Sequence, residues 1–192
     1  MQAVKPSGVM ENAAEVASAY QVLLGAAFAE LPPLLRQVHG SAPRVQARGW
    51  MRVRHGRGWL VRLVNAASGV PRAAERVPLH LEIRRSGEEE QWLRTFGEKL
   101  LQSRQWAANG LFQEQSGPVR LAMRLWVEEG ALCFASQRSW MLGLPLPRWA
   151  GLQVNARATA HADGKSWEVW VESRSGMLGM LFEYTGNIEL EA

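Results

Sequence analysis

The feature that most constrains the fold of this chain is an alternation of apolar and polar residues with a period of two. Residues 119–127 show it most strictly, and residues 45–53, 77–83 and 152–160 repeat it. Successive side chains of a strand point to opposite faces, so this period places the apolar residues together on one face. The chain is therefore predicted to consist mainly of strands that bury one face.

Short turn signals separate the strands. Asn109-Gly110 and Asp163-Gly164 both favour tight hairpins, and Ser86-Gly87 marks a further turn. Strands joined by tight turns pair with their chain neighbours in the antiparallel sense. About nine strands are expected, and a sheet of that size curls or closes to protect its edges. We therefore predict a cupped or half-open antiparallel sheet or barrel.

Helical periodicity is confined to two regions. Apolar residues at three- and four-residue spacing over 20–31 predict a helix that ends at Pro32-Pro33, and a second short helix is expected to end at Gly40. Residues 58–70 fit a short amphipathic helix. The predicted fold class is therefore α+β and β-rich, with N-terminal helices and one short internal helix.

The bulk properties are those of a globular chain. With 192 residues, 47% of them hydrophobic, the sequence is long enough to bury a core without a staple. We expect a loosely ordered segment at residues 1–17 and a single β-rich domain at 18–192. The single cysteine, Cys133, excludes an internal disulfide. Neither a signal peptide nor an apolar stretch of membrane-spanning length is evident, so the expected location is the cytoplasm.

The charge gives only a weak indication of partners. The net charge is +4, and nearly all of the positive charge comes from arginine. That excess is a poor basis for nucleic-acid binding, and tryptophan on strand faces matches RNA-binding sheets poorly, so we do not favour a nucleic-acid partner. The chain carries nine tryptophans against two tyrosines. Tryptophan brings large apolar area and suits cores, cavity walls and interfaces.

A set of short motifs runs along the chain from residue 18. The motifs are Tyr20, Leu24-Gly25, Phe28, Leu31-Pro32, Leu35-Arg36, His39-Gly40, Val77-Pro78-Leu79 and residues 92–96, 117–118, 140–147, 176–179 and 184–186. In combination they resemble a bacterial family catalogued as domain of unknown function 4166. The resemblance covers nearly the whole chain from residue 18.

The resemblance implies a partner rather than a reaction. Members of the family often stand as a C-terminal domain behind a short-chain dehydrogenase-like or epimerase-like nucleotide-binding domain. The sequence given has no such domain and no strand-linked Gly-x-Gly-x-x-Gly motif, so it is not expected to bind a dinucleotide in the Rossmann manner. A separately encoded protein of that type is therefore a candidate partner.

We find no constellation of catalytic or metal-binding residues. The four histidines, His39, His55, His80 and His161, do not pair at metal-ligand spacing on one element. The carboxylate runs flank turns, where solvation is expected. No catalytic residue, metal ligand or cofactor is therefore predicted, and a non-enzyme is favoured. An enzyme of unrecognised type stays an alternative, which a buried carboxylate or histidine facing a cavity would favour.

Arginine and aromatic residues that share strand faces are the best candidates for a ligand site. An arginine between apolar neighbours on one face suits an anion held in a semi-apolar pocket. The apolar loop at 140–149 could instead form the rim of a cavity or cap the core. The predicted ligand-binding residues are Trp92, Arg94, Arg124, Trp126, Trp140, Arg148 and Tyr184. The alternative for these faces is cross-strand salt bridges and cation–π packing.

Two functional hypotheses stand beside the alternative of an unrecognised enzyme. The first is a non-catalytic binding domain whose cupped sheet holds a lipid-like, apolar or amphipathic anion such as a fatty acid. The second is an auxiliary domain that docks on a separately encoded NAD(P)-dependent oxidoreductase. A cavity would support the first hypothesis, whereas a flat apolar patch without a cavity would support the second.

Overall fold

The computed structural model describes residues 16–191, which form a closed antiparallel barrel of ten strands with one additional two-residue strand. The strands are β1 Arg44–His55, β2 Ala74–Ser86, β3 Glu89–Phe96, β4 Lys99–Ala108, β5 Leu111–Ser116, β6 Val119–Glu128, β7 Ala131–Met141, β8 Leu144–Pro145, β9 Leu152–Ala160, β10 Ser166–Ser175 and β11 Gly179–Leu190. The helices are α1 Ala19–Leu24, a 3-10 helix at Gly25–Glu30, α2 Pro33–His39 and α3 Trp59–Ala67. Residues 1–15 of the segment predicted to be loosely ordered lie outside the described residues.

The predicted β-rich antiparallel architecture is confirmed, and the sheet closes fully. Most strands pair with their chain neighbours, β1 pairs with β11, and β7 pairs with both β6 and β9. Among the strands of the described residues, only the short strand β8 lies outside the ring, where it pairs with the end of β7. The barrel has ten strands rather than about nine. Closure gives every strand of the ring two partners and leaves no long unpaired edge.

The N-terminal helices differ from the predicted pair in one detail. Ser18 caps α1 through a reciprocal hydrogen-bond pair with Gln21, and the α-helix ends at Leu24 because Gly25 takes a φ of +53°. A 3-10 helix then continues the apolar pattern to Glu30. Helix α2 begins at Pro33 and is followed by Gly40, as the sequence predicts.

Up-and-down connectivity gives the barrel two distinct ends. Helices α1 and α2 precede β1 and cover one end, which we call the α1 end, where Tyr20 is fully buried. Helix α3 joins β1 to β2 at the opposite end, which we call the α3 end. There Asn65 Nδ2 donates to the backbone oxygen of Leu181 at 2.8 Å. The predicted internal helix therefore lies over one end of the barrel.

The core lies in the interior of the barrel, where the inward faces of all ten strands meet. The alternation predicted for residues 45–53 holds, since Val45, Ala47, Met51 and Val53 are all buried. Trp167 is among the largest fully buried side chains. None of the helices within residues 16–191 is long and apolar enough to cross a membrane.

Candidate functional site in the barrel interior

An ion pair lies inside the barrel. Arg94 Nη2 lies 3.1 Å from Glu114 Oε1, and Nη1 of the same arginine donates to that oxygen at 3.2 Å. Nη1 also donates to Ser103 Oγ at 3.2 Å. The Arg94 and Glu114 side chains keep exposed fractions of 15% and 19%, so the pair is enclosed by the barrel without being sealed off.

Three adjacent strands supply this cluster. Arg94 comes from β3, Ser103 and Gln105 come from β4, and Glu114 comes from β5. Gln105 lies directly opposite Glu114 in the β4–β5 register. Because each strand alternates between inside and outside, these four polar residues all occupy inward positions among apolar neighbours.

The cluster continues to helix α1 through hydrogen bonds. Gln105 Nε2 donates to Glu114 Oε1 at 3.1 Å, and the Tyr20 hydroxyl donates to Gln105 Oε1 at 3.0 Å. Tyr20 therefore connects the helix that covers the α1 end to the ion pair in the interior. A buried polar network that is satisfied in this way fixes the positions of its members.

Electrostatics keep the ion pair charged. Burial alone would raise the pKa of Glu114, but the charge of Arg94 and hydrogen bonds from Ser103, Gln105 and Arg94 lower it below its ordinary value. Burial opposes the charged form of Arg94 too, yet Glu114 raises its pKa overall. Burial also raises the pKa of the Tyr184 phenol. At neutral pH the site therefore presents a carboxylate, a guanidinium and a neutral phenol.

Two cavities of about 120 Å³ and about 150 Å³ meet this cluster. The first lies toward the α1 end, where Tyr20 and Trp92 line it, and the second lies beneath helix α3, where Val64 lines it. Most of the lining side chains in both are apolar. The residues that line both cavities are Arg94, Glu114, Val154, Val171 and Tyr184. The ion pair thus stands at the boundary between two apolar spaces.

A stacked group of rings forms the wall at the α1 end. The His39 ring centroid lies 4.4 Å from that of Tyr20 and 5.7 Å from that of Trp92, with which it stacks. Burial, together with the positive charge of Arg85, lowers the pKa of His39 to about 3. Its Nδ1 has no hydrogen-bond partner among residues 16–191. His39 is therefore neutral at physiological pH and acts as a ring surface rather than as a base.

A second buried ion pair anchors helix α2. Arg85 Nε lies 3.3 Å from Glu90 Oε1, and its two terminal nitrogens donate to the backbone oxygens of Ala42 and Val38 at 2.6 Å each. Trp92 Nε1 donates to Glu90 Oε2 at 3.1 Å. These bonds tie the end of α2 to β2 and β3, which is a structural role.

The structure separates the seven predicted ligand-binding residues into two groups. Trp92, Arg94 and Tyr184 line the interior cavities. The remaining four, namely Arg124, Trp126, Trp140 and Arg148, are absent from the linings of both interior cavities. Trp140 and Arg148 line a separate groove beside β8. The predicted residues thus do not form one site.

The outer faces of the strands carry pairs that the sequence alternative anticipated. The guanidinium of Arg124 lies 5.8 Å from the Trp126 ring, and that of Arg120 lies 4.1 Å from the Trp140 ring. Arg52 pairs across strands with Glu75 at 2.7 Å. Cross-strand ion pairs and cation–π contacts therefore account for much of the basic-aromatic character of the outer surface.

Sequence reasoning missed Glu114, Gln105, Ser103 and Tyr20 as members of the interior cluster. A signal for Glu114 exists in the chain, because it stands two residues from Phe112 and so shares its face of β5. A carboxylate on the same face as a buried phenylalanine indicates an inward charge that needs a partner. No comparable signal marks Tyr20, whose role depends on how helix α1 docks.

The described residues offer little for metal or thiol chemistry. Within residues 16–191, no group of three or more His, Cys, Asp or Glu side chains could hold a metal ion. Cys133 is buried, and burial raises the pKa of its thiol despite the nearby guanidinium of Arg157. A thiol of that kind is a weak nucleophile at neutral pH.

Comparison with known proteins gives a family but no activity. The model of the family described as "Domain of unknown function (DUF4166)" matches residues 31–188. No curated protein and no solved structure matches the chain. The matched residues include every strand of the barrel except the last part of β11, together with every residue that lines the two cavities except Tyr20. The chain therefore belongs to the DUF4166 family.

Proposed function

We propose that this protein is a non-catalytic binding protein that holds a lipid-like, apolar or amphipathic molecule inside its barrel. The observation that carries the proposal is the ion pair of Arg94 and Glu114, which is enclosed yet accessible from two apolar cavities. A cavity with mostly apolar walls and a few convergent polar groups is the usual form of a small-molecule site.

A contribution to folding stability does not by itself explain why the barrel contains the Arg94–Glu114 ion pair. Removing two charges from water costs several kcal/mol, and replacing such a pair with apolar residues is often neutral or stabilising. The neighbouring inward positions on the same strands are filled by buried apolar side chains, namely Trp92, Phe96 and Phe112. A role in recognising the polar group of a ligand accounts for charges at this position.

The ion pair between Arg94 and Glu114 also limits the kind of head group that a ligand can have. The sequence suggests an anion at Arg94, but Glu114 already balances the charge of that arginine. A carboxylate would have to compete with Glu114, whereas a hydroxyl group can donate to Glu114 and accept from Arg94 at once. We therefore propose an uncharged polar head group, such as an alcohol, attached to an apolar body.

Catalysis fits the interior less well than binding does. A general base works best with a pKa near the working pH. Arg94 holds the pKa of Glu114 low, and burial holds that of His39 at about 3, so neither group facing the cavities is tuned for proton transfer near neutral pH. The enzyme alternative therefore has candidate groups in the right place but with unsuitable proton affinities.

Native mass spectrometry of the purified protein, with organic extraction of anything bound, is the first test. Calorimetric titration with decanol and decanoate then separates the head-group classes. We expect decanol to bind more tightly. Tighter binding of decanoate would restore the anion hypothesis, and binding of neither probe with no extracted ligand would contradict the proposal. In that case the auxiliary-domain alternative would be tested by pull-down with a dehydrogenase.

A matched pair of variants locates the site. Arg94→Met with Glu114→Leu removes the ion pair while keeping side-chain bulk, and we expect at least a tenfold loss of decanol affinity. Arg124→Met with Arg148→Met removes two surface arginines from the predicted set and serves as the control. A larger effect from the surface variant than from the interior variant would place the ligand outside the barrel.

A further inference from the structure

The two ends of the barrel differ sharply in surface character. Among the described residues, eight of the eleven large hydrophobic side chains that are exposed belong to segments at the α3 end. They are Trp59, Leu60, Leu63, Leu100, Leu142, Leu144, Trp149 and Met177. Such a concentration on one end exceeds the scattered apolar exposure that is normal for a protein surface. We call these eight residues the apolar collar.

The collar is built from one helix and the turns beside it. Trp59, Leu60 and Leu63 lie on the outer side of α3, whose Val61 is buried. The β7–β8 turn is held to the β5–β6 turn, since Leu142 N donates to the Pro118 oxygen at 2.8 Å. Leu142 is 79% exposed, although it stands in a turn fixed by backbone hydrogen bonds. The apolar side chains are thus presented outward by ordered structure.

The charged side chains are also distributed unequally between the α3 end and the α1 end. The segments at the α3 end carry the exposed cations Arg57, Arg62, Arg72, Lys99 and Arg148. Two exposed acids lie there, Glu98 and Glu75, and Glu75 is paired with Arg52. None of these five cations forms an ion pair within residues 16–191. The hairpin turns at the α1 end instead carry five acids, Glu88, Glu89, Glu128, Glu129 and Asp163, and one base, Lys165. Arg104 and Arg157 on the adjoining strands pair with Glu89 and with the two glutamates at 128 and 129. One end is therefore apolar and basic, whereas acids outnumber bases in the turns of the other.

We propose that the α3 end docks on the surface of an anionic lipid bilayer, with the apolar collar in the interface and the cations against lipid head groups. Exposed tryptophan and leucine beside arginine on a short helix is the composition of interfacial segments. Each cation near an anionic surface adds to the attraction. The acidic α1 end would face away from the membrane. The docked end is also the end beneath which the second cavity lies.

Vesicle co-sedimentation of the full chain tests the proposal. The probes are vesicles of phosphatidylcholine with 30% phosphatidylglycerol and vesicles of phosphatidylcholine alone, at low and high salt. We expect binding to the anionic vesicles at low salt, at least a tenfold weaker affinity for the neutral ones, and weakening as salt rises. Equal binding to both compositions, or to neither, would overturn the proposal.

Variants distinguish binding through the apolar collar from non-specific adsorption to vesicles. Trp59→Ser with Leu63→Ser should reduce binding to anionic vesicles at least tenfold, because it removes apolar side chains that the fold leaves exposed. Val22→Ser is the matched control, since Val22 is exposed on α1 at the opposite end, and it should bind as the wild type does. Equal losses in both variants, or none in the collar variant, would overturn the proposal.

Two other occupants of the collar remain as outcomes of the same test. Sedimentation velocity would detect a dimer that the collar variant dissociates, and a stable complex with a dehydrogenase would show a protein partner. Either result without vesicle binding would replace the bilayer. Binding of decanol by the interior is measured separately, so failure at the membrane and failure of the cavity site are distinguishable.

Discussion

Arg94 and Glu114 show how a single position on a strand can have a role different from its neighbours. Trp92, Arg94 and Phe96 occupy successive inward positions of β3, and Trp92 and Phe96 are buried core residues. The arginine between them is tolerated because Glu114 and Ser103 supply acceptors. An inward charge flanked by apolar residues therefore requires a partner on an adjacent strand.

Removing one partner of this ion pair should cost more than removing both. We expect Glu114→Gln to lower the free energy of unfolding by about 3 kcal/mol, because it leaves the Arg94 charge buried without its counter-ion. The double variant Arg94→Met with Glu114→Leu should lose about 1 kcal/mol or less. Urea denaturation of both variants checks this. Equal losses would mean that the pair contributes stability rather than recognition.

His39 should make the fold sensitive to acid. Its pKa is lowered to about 3, whereas an unfolded chain has a histidine pKa of about 6.5. Between these values the unfolded state binds a proton that the folded state does not. Ionisation of His39 therefore leaves the free energy of unfolding unchanged above about pH 6.5 and lowers it as the pH falls towards 3. We expect His39 to account for a loss of about 3 kcal/mol between pH 7 and pH 4.

The variant His39→Phe isolates that effect, because a phenyl ring can keep the stacking on Trp92 and Tyr20. Other groups that titrate in this range are common to both proteins, so the difference between wild type and variant reports the histidine. Urea denaturation at pH 7 and pH 4 measures it. Parallel pH profiles for the two proteins would contradict burial of a neutral histidine.

At the scale of residues, the sequence predicts which side chains share a strand face, but it does not predict which side chains they contact. The period of two places Arg94 with Trp92 and Phe96 on one face, which the structure confirms. The sequence cannot show that this face is the interior one, because that depends on which way the sheet closes. Glu114 lies 20 residues further along the chain, and only the register of three strands brings it to Arg94.

At the scale of elements, the pairing of β1 with β11 depends on close backbone approach. Gly186 lies opposite Met51, and Gly49 lies opposite Ile188, at inward positions of the two strands. A Cβ atom on Gly186 would collide with the backbone oxygen of Trp50, and one on Gly49 would collide with that of Asn187. Glycine at such places permits the bend of a strand at a barrel corner.

Gly186→Ala should therefore weaken the junction between the first and last strands. The colliding atoms belong to the backbone, which cannot move aside as a flexible side chain does, so we expect a loss of about 2 kcal/mol or more in the free energy of unfolding. Glu189→Ala, at an exposed position on the same strand, is the control and should change stability by about 0.5 kcal/mol or less. Thermal or urea unfolding compares them.

Elements were predictable where local chemistry decides them. Asn109 and Gly110 take φ values of +53° and +70°, so the predicted Asn-Gly hairpin forms as its residues favour. The predicted single helix over 20–31 becomes two because Gly25 adopts a left-handed conformation. The apolar loop at 140–149 includes the short strand β8, and its Trp149 is exposed. This exposure was not predictable locally, because the position of the loop depends on turns that are distant in the sequence.

At the scale of the whole molecule, the barrel is closed unequally at its two ends. Tyr20 packs against Phe112 at 4.9 Å between ring centroids and bonds to Gln105, so α1 is held from inside. Helix α3 is held by Val61 and by the bond from Asn65 to Leu181, while its outer side chains stay exposed. The second cavity lies directly beneath α3. We therefore expect a ligand of the interior to enter at the α3 end.

Filling the interior should separate ligand binding from folding. Val154 lines both cavities, so Val154→Phe places a ring beside the ion pair without removing any polar group. Cavities of about 120 Å³ and about 150 Å³ leave room for the added atoms, and the extra buried apolar area offsets strain. We expect stability within about 1 kcal/mol of the wild type and at least a tenfold loss of decanol affinity.

The same substitution at exposed Val22 is the control for Val154→Phe. Calorimetric titration measures decanol affinity, and urea denaturation measures stability. Unchanged binding by Val154→Phe would place the ligand outside the barrel, whereas loss of binding with the fold intact would fix it between Arg94 and the apolar walls.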